Sequence, residues 1–258
     1  MLNFRTTTIA LLIFAALVLI LFFFNIRLGM FPILAIIVWL ILLVTGSVNI
    51  CQGFYIKAFC KGKTSKKLIT LTFDDGPDAK NTPLVLEILD KHHIPATFFL
   101  IGNKAEKQVE LVRLIFSRGH LIGLHSYSHH FFFDFFSRKK MEQDLLKAEG
   151  IIMEATGKKP LLFRPPYGVT NPVLAKVVKK MGYKVIGWSV RSFDTIKKDE
   201  DGIVERIKRG LHPGAVILMH DDREITAKLL EKVILMIMEE GYRFVGLEEV
   251  LGIDNMVK

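Results

Sequence analysis

Leu68-Ile69-Thr70-Leu71-Thr72-Phe73 runs directly into Asp74-Asp75-Gly76-Pro77. The first six residues are apolar and β-branched, as in a buried strand. Gly76-Pro77 then turns the chain, so the strand carries two carboxylates at its C-terminal tip. Successive strand residues point to opposite faces, which allows adjacent carboxylates to do different work: one on a metal, one on a proton.

Further along, the apolar run Leu121-Ile122-Gly123-Leu124 precedes His125-Ser126-Tyr127-Ser128-His129. Histidines four apart share one face of a helical turn and can grip one ion. With a carboxylate they form a set that leaves coordination positions open, as catalytic metal sites do. His92, His93, His120, His130 and His212 have no such spacing and read as ordinary residues. Three more apolar runs end the same way: Leu161–Phe163 in Arg164-Pro165-Pro166-Tyr167-Gly168, Lys184–Trp188 in Ser189-Val190-Arg191-Ser192-Phe193-Asp194, and Ala215–Met219 in His220-Asp221. Reactive side chains thus gather at the C-terminal ends of several strands, where β/α barrels place their active sites.

Strands are expected at Leu68–Phe73, Ala96–Ile101, Leu121–Leu124, Leu161–Phe163, Lys184–Trp188, Ala215–Met219 and Arg243–Leu247. Helical patterns near Thr82–His93, Asn103–Arg118, Ser137–Thr156, Asn171–Met181, Asp199–Arg209 and Ile225–Glu240 alternate with them. That alternation implies a parallel sheet with right-handed crossovers. Seven strands are too few for a complete eight-fold barrel, so the expected fold is α/β, an irregular seven-stranded β/α barrel.

The blocks around Asp74-Asp75, His125/His129, Arg164–Gly168, Trp188 and Leu218–Asp221 resemble, in order, those of the polysaccharide deacetylase family, also called the NodB-homology domain or carbohydrate esterase family 4. The resemblance runs from near Lys66 to near Leu251. It implies metal-dependent removal of an N-acetyl group from a sugar. In that scheme Asp75, His125 and His129 hold a divalent metal, zinc by ligand type, with cobalt, nickel or manganese as alternatives. Asp74 is the general base and His220 the general acid. Arg164 orients Asp74, the Tyr167 backbone N–H stabilises the oxyanion, and Leu218 lines the acetyl pocket. The fourth block departs from the pattern: Arg191 stands where relatives often carry aspartate, and Thr195 where they often carry tryptophan. Asp194 remains, and an acid there is expected to partner His220. The departure bears on a polymer substrate more than on the chemistry. An O-acetyl esterase or deformylase on the same site, or a non-catalytic glycan-binding module, are the alternatives.

The N-terminal 56 residues contain no Asp or Glu and only Arg5 and Arg27 as bases. Thr6–Phe24 and Leu28–Val48 each reach the roughly 20 apolar residues of a membrane helix. Asn25-Ile26-Arg27 between them suggests a tight hairpin. Phe22-Phe23-Phe24-Asn25 offers no small-residue cleavage site, which favours a retained anchor over a signal peptide. The expected organisation is an anchor over 1–50, a linker over 51–67 and a catalytic domain over 68–258. Lys57, Lys61, Lys63, Lys66 and Lys67 follow the second span and favour, by charge, a cytoplasmic domain. Family members that work on wall polymers point outward; others act on lipid-linked sugars.

Residues 57–258 hold 33 basic and 26 acidic side chains, an excess of +7. Beside a membrane this favours anionic headgroups or a phosphate-bearing substrate. No nucleic-acid-binding motif is present. The expected partners are an N-acetylated glycan or lipid-linked sugar and membrane lipids. Cys51 and Cys60 are too few for a disulfide framework or a zinc box. Phe131-Phe132-Phe133-Asp134-Phe135-Phe136 cannot bury every ring on one face, so a mixture of packing and exposure is expected.

Overall fold

The computed structural model describes residues 3–23, 29–196 and 199–253. Its strands are β1 Leu68–Asp74, β2 Ala96–Leu100, β3 Leu121–Leu124, β4 Leu162–Phe163, β5 Lys184–Val185, β6 Val190–Arg191, β7 Ala215–His220 and β8 Arg243–Phe244. They pair in parallel in the order β5-β4-β3-β2-β1-β7-β6, with β8 on the start of β1. Two helices precede the sheet, α1 Phe4–Phe23 and α2 Phe31–Val48. The crossovers carry α3 Asn81–Lys91, α4 Gly102–Lys107, α5 Val109–Ser117, α6 Arg138–Thr156, α7 Pro172–Met181, α8 Glu200–Gly210 and α9 Glu224–Glu239, and α10 Leu247–Leu251 follows β8.

The curled, open barrel follows the expected fold with three local differences. Lys184–Trp188 is not one strand: β5 ends at Val185, the chain bends through 186–189, and β6 resumes on the far edge beside β7. Counted as one broken strand, β5 and β6 leave seven positions. Asn103–Arg118 divides into two helices at Gln108. Leu247, expected at the end of a strand, instead opens α10.

Alternation along β1 explains what the sheet buries. Ile69, Leu71 and Phe73 pack outward under the helices. Thr70, Thr72 and Asp74, also buried, lie on the opposite face, toward the barrel interior. β7 repeats this: Ile217 and Met219 join the outer core, while Leu218 and His220 stand beside Thr72 and Asp74 in register. A small second core of Phe99, Leu162, Ile186, Val216, Leu247 and Ile253 plugs the interior below the polar groups.

Within residues 51–67, expected as a linker, the stretch from Phe59 to Gly62 pairs with the barrel. Phe59 bridges to Ile186 in parallel and Lys61 to Ala215 in antiparallel fashion, filling the seam between β5 and β7. Phe59 N–H donates to the Val185 carbonyl (2.9 Å), Gly187 N–H to the Phe59 carbonyl (2.9 Å) and Gly62 N–H to the Gly214 carbonyl (2.8 Å). Cys51 and Cys60, too few for a disulfide framework, nevertheless form a single disulfide with Cα atoms 5.8 Å apart. Packing of residues 58–62 into the seam brings them together, a tertiary effect invisible in their spacing. A Cβ at Gly187 would overlap the Cys60 sulfur, so glycine is needed there.

α1 and α2 are each long and apolar enough to cross a membrane. The hairpin turn Asn25-Ile26-Arg27 lies outside the described residues. The end of α2 is tied to the barrel: Ser47 Oγ donates to the Thr170 carbonyl (2.6 Å), and Thr170 N–H to the Ser47 carbonyl (2.9 Å).

Candidate active site

A cavity of about 520 Å³ opens at the C-terminal mouth of the barrel, lined by Asp74, Asp75, His125, His129, Tyr167, Trp188, Arg191, Leu218 and His220 among others. Every site residue expected from the sequence lies in or directly behind it. Asp75 sits just past β1 with φ 69°, in the left-handed region. This turn, more than strand alternation, separates its carboxylate from that of Asp74. Its Oδ1 lies 3.3 Å from His129 Nε2 and 3.6 Å from His125 Nε2. That oxygen is buried and accepts no hydrogen bond among the described residues. A buried acceptor facing two imidazole nitrogens fits a divalent cation, which would satisfy all three atoms at once.

The two histidines do not share a helical turn. They lie in an irregular loop after β3, and positive φ at Ser126 (62°) and His129 (44°) folds it back so that both rings face Asp75. His125 Nδ1–H donates to the Arg164 carbonyl (2.8 Å), which leaves the Nε2 lone pair aimed at Asp75. Burial and the neighbouring His125 push the His129 imidazole down to about 4, favouring the neutral, ligating form. Burial acts to raise Asp75, but His125, His129, His220 and Lys104 outweigh it and hold its carboxyl below the usual range. Lys104 Nζ donates to the Asp75 carbonyl (2.7 Å) and pairs with Asp222 (3.1 Å).

Two buried charge pairs flank this cluster. Arg164, fully buried, donates from Nη1 to Asp74 Oδ1 (2.7 Å) and Thr72 Oγ1 (2.9 Å), from Nη2 to the Gly187 carbonyl (2.9 Å) and from Nε to the Ile186 carbonyl (3.2 Å). Its guanidinium lies over the Phe99 ring, 4.2 Å from the centroid. Opposite, His220 Nδ1 meets Asp194 Oδ1 at 2.7 Å, and Asp194 Oδ2 accepts the His220 N–H (2.8 Å) and the Thr226 hydroxyl (2.6 Å). Ser192 Oγ donates to Asp194 Oδ1 (2.8 Å). Burial alone would lower His220; its hydrogen bond and ion pair with Asp194, with Asp74 and Asp75 nearby, raise it above the ordinary value instead. β1 and β7 place Asp74 and His220 directly opposite each other.

Tyr167 has φ 57°, a left-handed conformation that costs an ordinary residue roughly 1–2 kcal/mol. Its half-exposed ring packs on His129 with centroids 4.8 Å apart. Gly168 (φ 71°) must be glycine, since a Cβ would enter the Trp188 indole. Leu218 is buried beside Thr72 on the cavity wall. Arg191 stacks near Phe193 (4.6 Å) and Trp188 (5.8 Å), and its buried Nε has no partner among the described residues. Sequence reasoning missed Thr72, Ser192, Thr226 and Asp221. Thr72 was findable, two residues before Asp74 and hence on the same strand face. Asp221 is buried against Thr82, and burial pushes it up to about 7. A Cβ at Gly76 would collide with its carboxylate.

An open parallel β/α barrel with an Asp/His/His cluster between two buried charge pairs defines a narrow class of protein. The polysaccharide deacetylase family model matches residues 61–186. A Bacillus cereus peptidoglycan-N-acetylglucosamine deacetylase is 36% identical over 192 residues, covering 72% of this chain and 89% of that protein. The chain belongs to the polysaccharide deacetylase family. A Listeria monocytogenes peptidoglycan-N-acetylglucosamine deacetylase is 34% identical over 74% of this chain, which spans only 40% of its length. Among solved structures, a family pseudoenzyme from Bacillus anthracis superposes with TM-score 0.69 at 29% identity, over 75% of this chain and 68% of that one. A mutant of the pseudoenzyme has restored activity.

Proposed function

We propose that this protein is a membrane-anchored, metal-dependent N-deacetylase of an N-acetylated glycan, with its barrel outside the membrane. The observation that carries the reading is the placement of two differently partnered groups, Asp74 on Arg164 and His220 on Asp194, on either side of the Asp75/His125/His129 cluster. A cation held by those three would polarise the acetyl carbonyl and make water nucleophilic near neutral pH. Asp74, oriented by Arg164, takes the proton of the attacking water. His220, kept protonated by Asp194, delivers a proton to the departing sugar nitrogen. The Tyr167 backbone N–H supports the developing oxyanion, and Leu218 confines the acetyl methyl.

Two observations support the outward face. A disulfide persists in oxidising compartments, which weighs against the cytoplasmic side that the lysines favoured. The relatives named above are peptidoglycan deacetylases, and peptidoglycan lies outside the cell membrane.

The pseudoenzyme among the structural neighbours makes the competing reading specific: a barrel retained for glycan binding alone. Acetate release from N-acetylglucosamine oligosaccharides by the metal-loaded full chain separates the two. Wild type should release acetate, and Asp74→Asn should lose about a thousandfold in rate while keeping its metal by elemental analysis. No release by wild type, or equal rates in both proteins, would overturn the catalytic reading.

A further inference from the structure

Phe131, Phe132 and Phe135 are 73%, 55% and 85% exposed, whereas Phe133 and Phe136 of the same run are buried. Three neighbouring exposed phenylalanine rings are costly on a surface that faces only water. They stand beside the cavity mouth: Phe131 lies 6.3 Å from the Tyr167 ring, which packs on His129. Their run is also linked to the end of α2 through the neighbouring residues Thr170 and Asn171. Asn171 Nδ2 donates to the Asp134 carbonyl within the run (2.8 Å), and the preceding Thr170 is bonded to Ser47 in the last turn of α2. Across the α2 exit, a groove starting at Val48–Ile50 is lined by Lys57, Lys61, Lys63 and Lys66, none with a carboxylate partner among the described residues. Exposed aromatic rings and unpaired lysines around a helix exit match the chemistry of an anionic bilayer surface.

We infer that Phe131, Phe132 and Phe135 seat the barrel on the lipid bilayer, so that the site mouth opens at headgroup level onto glycan held at the membrane. This rests on the anchored-deacetylase reading and narrows its substrate to the membrane-proximal, lipid-attached class. The rings enter the interface beside α2, and the substrate acetamide reaches His129 and Tyr167 along the same surface.

The test uses the full chain reconstituted in phosphatidylglycerol vesicles. A benzophenone amino acid replacing Phe135 should crosslink to phospholipid, while the same probe replacing Met238, an exposed residue on α9, should not. Independently, Phe132→Ser/Phe135→Ser should slow acetate release from a vesicle-bound N-acetylglucosamine lipid about tenfold while leaving a soluble N-acetylglucosamine oligosaccharide unaffected. Crosslinking at 135 no stronger than at 238, or equal losses on both substrates, would overturn the inference. The crosslink needs no turnover, so it separates failure of the seating from failure of the deacetylase reading.

Discussion

The two sides of the cavity solve opposite problems with the same device, a buried ion pair. On the β1/β4 side the cation is the supporting member: Arg164 is fully buried, donates four hydrogen bonds and presents one of them to Asp74. On the β7 side the anion supports: Asp194 collects its bonds from Ser192, Thr226 and the His220 backbone, and holds the His220 ring. In each pair the supporting member is held by several protein hydrogen bonds, and the other faces the cavity. Under the proposed mechanism, the roles of acid and base are therefore set by what stands behind each group.

The severest way to break this comparison is Arg164→Ala. It strips the partner from a buried carboxylate and should cost about 3–5 kcal/mol in chemical denaturation. Asp194→Asn should do less, since the amide still fills the space.

Cys51→Ser/Cys60→Ser separates the two sides. A loop closed over a sequence separation of 9 is worth about 2–3 kcal/mol of stability. The disulfide packs behind Gly187, whose carbonyl takes Arg164 Nη2, and Asp194 is held instead by Ser192, Thr226 and His220. The double variant should therefore melt earlier without moving the alkaline limb of the pH–rate profile.

In the proposed mechanism that limb belongs to His220, whose conjugate acid is the working form, and its folded pKa is raised. Activity should thus persist above about pH 6.5 and fall as pH climbs through the raised value. Asp194→Asn removes the chief raising influences and should move the limb down by about one pH unit. The stability from the pair follows the same sign: fully present below the unfolded value, lost as pH rises through the folded one. Ser192→Ala, which deletes one donor to Asp194, should shift the limb in the opposite direction by less than about half a unit.

How much of this was readable depends on whether local or distant forces set the geometry. Asp74 and His220 end strands and Arg164 directly follows one, so alternation and strand boundaries locate them from the sequence alone. Asp194 followed from needing an acid beside His220. The loop of His125 and His129 was misread as helical because four-residue spacing is all the sequence offers; the left-handed conformations at Ser126 and His129 are imposed by packing. The break at 186–189 and the pairing of Cys51 with Cys60 had no local signal either. Both arise from a segment some 125 positions upstream entering the seam (Phe59 to Ile186). The lysines counted as a topology marker line a groove there, an arrangement no window of sequence could show.

That upstream segment fixes where the barrel can be cut. A fragment beginning at Leu68 would leave the edges at Ile186 and Ala215 without their neighbours and expose the backbone that Phe59 and Gly62 now satisfy. A soluble, self-sufficient barrel therefore has to start before Cys51, at the very point where the apolar helix ends.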